Sequence, residues 1–168
     1  MKKLKIQSNG RPDNFQTPKI ALDFLLPYLK REWIIWECAW GKGNLFNFLK
    51  SEGFDVIGSD KDFDFLNSYK ECDCIVTNPP YSIKDKFLAR CYELEKPFAL
   101  LMPLTALEGK KRGKLYKKYG IQLLIPNKRI NFETPFWKGK WSMVPNSLVL
   151  LRAKFTKGFN VRGVSKGK

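Results

Sequence analysis

Trp33-Ile34-Ile35-Trp36-Glu37-Cys38-Ala39-Trp40-Gly41-Lys42-Gly43-Asn44 is the stretch on which the fold turns. Its first eight residues form a mostly apolar run, short enough for a strand buried on both faces, and the run stops at two glycines. Helical spacing follows through Leu45, Phe46, Phe48 and Leu49, and Gly53 closes that helix. A strand, a glycine turn and a helix are the opening unit of a parallel α/β sheet, in which ligands sit beyond the carboxyl ends of the strands. Gly41 and Gly43 let a ligand approach the backbone closely. The helix that starts near Asn44 exposes N–H groups with no partner inside the helix.

The same alternation continues downstream. Val56-Ile57-Gly58 reads as a second strand ending at Ser59-Asp60, and Cys74-Ile75-Val76-Thr77 as a third ending at Asn78. A helix through Phe87, Leu88, Cys91 and Leu94 leads to a fourth strand over 98–102. A very basic helix over 108–119 then separates it from strands at 121–125 and 148–151. Upstream, Thr17-Pro18 reads as a helix start, with Thr as N-cap and Pro at the first helical position. Pro27 ends or kinks that helix. The pattern predicts one α/β domain over 15–157, with a mostly parallel sheet and helices on both faces. Residues 1–14 read as a loose basic arm and 158–168 as a basic tail.

A length of 168 residues fits one domain, and 43% hydrophobic residues suffice for a packed core. The net charge of +15 points to an anionic partner, nucleic acid before others, against the alternative of a merely well-solvated surface. The chain has four cysteines without a C-x-x-C pair and no histidine, which excludes mixed Cys/His zinc sites and removes the usual general base. No metal is expected, and the thiols read as core or surface groups in a reducing cytoplasm. No apolar run is long enough to span a bilayer, and the start of the chain is unlike a signal peptide, so the expected location is cytoplasmic without membrane contact. A monomer or weak dimer is expected.

Two acids give the glycine turn a chemical direction. Asp60 ends the second strand seventeen residues after Gly43, a position suited to accepting bonds from ribose hydroxyls. Glu37 stands just before the glycines. It would repel a pyrophosphate but would suit a cationic amino acid or sulfonium group. The plain alternative is a tight turn flanked by two surface acids.

Asn78-Pro79-Pro80-Tyr81 marks a second site. Two prolines cannot donate to a ladder, so the strand stops there, held rigid and with carbonyls free. Such a loop suits a flat amino group. An adenine exocyclic amine is a poor nucleophile because its lone pair is delocalised into the ring. The Asn78 side-chain oxygen and the Pro79 carbonyl would accept its two N–H groups and keep the lone pair on nitrogen, while Tyr81 stacks on the base. Positioning and electrostatics would supply most of the catalysis, with no imidazole required. The alternative is a Pro-Pro turn behind a capping Asn.

With these motifs in place the chain resembles the class I S-adenosylmethionine-dependent methyltransferases, in particular the amino-methylating group that includes adenine-N6 DNA and RNA enzymes. The resemblance covers about residues 15 to 155. Phe15-Gln16-Thr17-Pro18 is similar to the family's F-x-T-P segment beside the methionine part of the cofactor. Residues 37–43 match the acidic-x-x-x-G-x-G motif, Asp60 the ribose-binding acid, Asp64-Phe65 the D-F segment at the cofactor's adenine, and 78–81 the catalytic loop. The resemblance implies S-adenosylmethionine as cofactor, held by Phe15, Thr17, Pro18, Glu37, Ala39, Gly41, Gly43, Asn44, Asp60, Asp64 and Phe65. Asn78, Pro79, Pro80 and Tyr81 would form the catalytic loop. It also implies a seven-stranded Rossmann-like sheet whose antiparallel last strand comes from 147–155. In two respects the chain departs from the family: Glu37 replaces the commoner Asp, and no proline follows it. Only twelve residues separate Phe65 from Asn78, which leaves no room there for a target-recognition region and favours loose sequence specificity or recognition by shape.

Cations and rings interleave in the second half. Lys110, Lys111, Arg112, Lys128, Arg129, Lys138 and Lys140, with Phe132 and Trp137, form the expected substrate surface of phosphate contacts and stacking platforms. Trp137 serves equally as a core residue. The expected reaction is methylation of adenine N6 in DNA with little sequence preference. The alternatives are the same chemistry on ribosomal or transfer RNA at adenine N6 or guanine N2, glutamine-N5 methylation of protein, and an inactive nucleic-acid-binding module.

Overall fold

A computed structural model describes residues 17–60, 62–125, 147–152 and 159–160. Its strands are β1 (Ile34–Glu37), β2 (Asp55–Gly58), β3 (Cys74–Thr77), β4 (Phe98–Pro103), β5 (Gln122–Leu124), β6 (Ser147–Arg152) and β7 (Phe159–Asn160). The helices are α1 (Ile20–Asp23), α2 (Asn44–Ser51), α3 (Lys84–Glu93) and α4 (Lys110–Tyr119). All strands join one sheet in the order β2-β1-β3-β4-β6-β5-β7. β1, β2, β3 and β4 pair in parallel, whereas β6 runs antiparallel to both β4 and β5.

Side-chain alternation along the strands explains the two layers of helix. Ile35, Cys74, Val76, Ala99 and Leu101 face one side, where Leu22 and Leu25 from the α1 region and Leu45, Phe48 and Leu49 from α2 bury them. Trp36, Ile75, Phe98, Leu100 and Met102 face the other, against Phe87, Leu88, Cys91 and Tyr92 of α3. The sheet is therefore apolar on both faces, as expected for parallel strands. All four cysteines are free and buried in these layers, and burial pushes every thiol upward, Cys72 to about 11. They are neutral core groups.

Several boundaries differ from expectation. The first helix has only four residues and is preceded by Lys19, and no side chain caps it. Thr17 is buried instead of serving as a cap. Pro27 brings no N–H to continue the α-helix, so the chain tightens into a 3-10 turn over Leu26–Tyr28. β1 stops at Glu37 and leaves Cys38–Trp40 to the turn. β6 is antiparallel but not last, because Phe159–Asn160, in the segment read as a tail, pairs with β5.

Two glycines are explained by one ring. Gly43 has φ +85°, the left-handed region, and a Cβ there would also collide with the Trp40 indole nitrogen. A Cβ on Gly58 would come within 2.5 Å of the same indole, which stacks on Phe46 at 4.5 Å between centroids. Trp40 thus ties the end of β2 to the first turns of α2.

Candidate active site

Strand order reverses between β1 and β3. From β1 the chain crosses to β2 on one side, and later returns to lay β3 on the other. At such a switch point the connections leave in opposite directions and open a crevice at the carboxyl ends of the strands. Glu37 ends β1 and Thr77 ends β3, so both stand at its floor.

The Glu37 carboxylate is almost wholly buried, at 1% exposure. Its Oε1 accepts the Ala39 N–H at 2.9 Å and the Thr77 hydroxyl at 2.5 Å. No described residue donates to Oε2. Burial pushes the group from its ordinary value near 4.5 up to about 8. The Thr77 and Ala39 hydrogen bonds pull against this, and the Asp60 charge adds slightly to it. Without a ligand, Glu37 therefore holds a proton at neutral pH, and a cation placed against it would drive that proton off. Ser59 fastens the next loop: its N–H donates to the Glu37 carbonyl at 2.9 Å, and its hydroxyl accepts the Trp36 indole N–H at 2.8 Å. The adjoining Asp60 is half-buried, and among the described residues none donates to its carboxylate.

Thr17, Glu37, Ala39, Gly41 and Asn44 of the expected cofactor residues line one cleft, and Asn78 lines it too. Trp40 and Leu45 complete its wall. Asn78 Oδ1 is buried without a hydrogen-bond partner. An orphaned buried acceptor costs about 1–3 kcal/mol, so such a group calls for a partner such as a water, an ion or a ligand group. Pro79 is buried and Pro80 half-buried, with φ −57° and ψ 121° at Pro80, a rigid extended entry to the 3-10 turn Tyr81–Ile83. Tyr81 is 7% exposed and packs into the core under α1 and α2, so the face it was expected to offer a base is not displayed.

Other expected residues take different places. Pro18 only starts the first helix, its carbonyl accepting the Ala21 N–H at 2.9 Å. Asp64 holds its own turn: one carboxylate oxygen accepts the Leu66 N–H at 3.0 Å, the other the Asn67 side-chain amide at 2.6 Å. Phe65 is buried between Phe87 and Trp36, at centroid distances of 4.7 and 5.2 Å. Both side chains therefore make their described contacts within the chain. Phe15, Lys128, Arg129, Phe132, Trp137, Lys138 and Lys140 lie outside the described residues.

On α4, Lys110, Lys111, Lys114, Lys117 and Lys118 are exposed. Arg112 is not part of that face. Its guanidinium donates to Asp85 Oδ1 at 2.6 Å, to the Ala106 and Thr105 carbonyls at 2.8 and 3.3 Å, and to the Glu108 carbonyl. This arginine clamps α4 to α3, a correction to its expected place among the substrate contacts. Sequence reasoning missed Thr77 and Trp40. Only the pairing of β1 with β3 reveals Thr77, whereas an aromatic directly before a glycine turn was a visible signal for Trp40. Among the described residues no three potential ligands cluster for a metal, and no helix is long and apolar enough to cross a membrane.

No family model and no curated protein sequence matches the chain. Solved structures do. A candidate RNA methyltransferase of Pyrococcus horikoshii superposes with a TM-score of 0.52 at 14% identity, covering 89% of this chain and 91% of that one. A dimethyladenosine transferase of Plasmodium falciparum gives 0.51 at 15% identity, over 82% of this chain and 62% of its own. The 23S rRNA methyltransferase ErmE gives 0.50 at 15%, over 82% and 68%. The chain has the Rossmann-like α/β fold of these methyltransferases.

Proposed function

We propose that the chain is an S-adenosylmethionine-dependent methyltransferase that modifies the exocyclic N6 amine of adenine in nucleic acid, with RNA ahead of DNA. The observation that carries this reading is the orphaned Asn78 Oδ1, buried in the same cleft as the Glu37 carboxylate. One wall is built for a cation and the other holds an acceptor waiting for an N–H. S-adenosylmethionine, when bound, supplies the electrophilic methyl group. Glu37 Oε2 faces its cationic end, the turn at Gly41 admits it to the backbone, and Asp60 accepts from its ribose. Asn78 Oδ1 and the Pro79 carbonyl accept the two N–H groups of the amine and hold its lone pair toward the methyl. The exposed lysines of α4 take phosphates.

The sequence alone favoured DNA. The names of the similar structures support placing RNA first, since two of the three are named for RNA and the third for adenosine. Incubation with methyl-labelled S-adenosylmethionine and separate RNA, DNA and protein fractions, followed by nucleoside analysis, tests both levels. N6-methyladenine in RNA is expected. The same product in DNA alone would move the substrate, and label in protein alone would sink the nucleic-acid reading. In Asn78→Ala, transfer falls by about 10²-fold or more while cofactor affinity stays within about twofold. The melting temperature does not fall, because the substitution removes an unpaired buried acceptor.

A further inference from the structure

Thr77 stands where the two halves of the cleft meet. The backbone ladder between β1 and β3 runs through Ile35–Cys74 and Trp36–Ile75. Beyond it, the two strand ends are joined by a side-chain bond, from the Thr77 hydroxyl to Glu37 Oε1 at 2.5 Å. Both residues are 1% exposed, so the bond lies in a setting of low dielectric, where hydrogen bonds are stronger than in water.

We propose that Thr77 is a positioning residue that sets the cation-binding carboxylate of Glu37 and the amine-binding oxygen of Asn78 relative to each other. On the Glu37 side, Thr77 and the Ala39 N–H together occupy Oε1. The carboxylate plane is thereby fixed, and Oε2 is the oxygen left for the cleft. On the Asn78 side the connection is covalent: Asn78 follows Thr77 directly, and Pro79-Pro80 restrict the chain beyond it. Asn78 is thus held from the rear by Thr77 and from the front by two rings. A shift of Thr77 moves the acceptor oxygen as well as the carboxylate. The inference rests on the methyltransferase reading for what the two halves bind.

Thr77→Val keeps the branched shape and removes only the donor, and Thr77→Ser restores the donor. Cofactor binding by calorimetry from about pH 6 to 9, with kcat and KM for the nucleic-acid substrate, reads both halves. In Thr77→Val, cofactor affinity and kcat each fall by about tenfold, the effect of one lost charge-assisted hydrogen bond. Thr77→Ser returns both to within about twofold. The pH midpoint of cofactor binding moves upward in the Val variant, because a bond that favours ionised Glu37 is gone. Asp60, the other charged group acting on Glu37, stays in place, and the neighbouring Cys38 thiol is neutral. A packing role alone would not move that midpoint. Parental affinity, kcat and midpoint in Thr77→Val would overturn the inference and leave the methyltransferase reading intact, as would a Ser variant no better than Val. A parent protein that binds no S-adenosylmethionine would remove the reading itself, and this inference with it.

Discussion

At the scale of single residues, Glu37 shows most directly that the site was built at the expense of the free protein. A carboxyl pushed to about 8 is protonated in the fold, while in the unfolded chain it ionises near 4.5. Between those values the native state holds one proton more than the unfolded state. Stability therefore falls as pH rises, by up to about 1.4 kcal/mol per pH unit from this group. The contribution is fully present below pH 4.5 and lost by about pH 8. Thermal melts of the ligand-free protein across this window should decline with pH, and Glu37→Gln should flatten the decline. On the proposed function, cofactor affinity should run the other way, rising as pH increases, because a cation against Glu37 favours its ionised form. A Gln variant that melts with the parental pH profile would remove Glu37 as the source. The acid itself was legible in the sequence from its place before the glycines. Its protonation was not, since that depends on neighbours brought together by the β1–β3 pairing.

At the scale of elements, α4 shows how composition misleads when orientation is unknown. Its cations read alike in sequence, yet the lysines point to solvent while Arg112 turns inward and ties the helix to Asp85 and three carbonyls. A lysine has too few donors, and the wrong geometry, to replace a fork that serves four acceptors. Arg112→Lys should therefore cost about 1–3 kcal/mol, seen as a melting temperature lower by several degrees. It should leave the salt dependence of nucleic-acid binding unchanged, and a reduced salt dependence would return Arg112 to the binding surface. Most other elements were legible because period and punctuation agreed. Cys74–Thr77, for example, is bounded by Asp73 and by Asn78-Pro79, and the strand has those limits. The first helix failed because apolar spacing continued through Pro27 while the hydrogen bonds could not. Asp64-Phe65 marks a limit of the sequence, because a short acidic turn and a cofactor contact have the same letters. Nothing in a one-dimensional pattern distinguishes a phenylalanine offered to a ligand from one stacked on Phe87.

At the scale of the whole molecule, the charge of +15 has to be expressed through particular groups. The exposed lysines of α4 form one such group, and each phosphate contact contributes roughly 0.7 to the salt slope on single strands and 0.9 on duplex DNA. Replacing Lys110, Lys114 and Lys117 together with Gln should lower the slope of log affinity against log salt by about 2–3 if all three touch phosphates. Stability should change little, because none of the three is buried. An unchanged slope would move the nucleic acid to another surface. The buried carboxyl at the switch point has a further consequence for the molecule as a whole. A protein without imidazole is nearly silent as a buffer near neutrality, apart from its terminal amine. If a cationic cofactor binds there as proposed, occupancy of the cleft can therefore be followed as the release of a proton into solution.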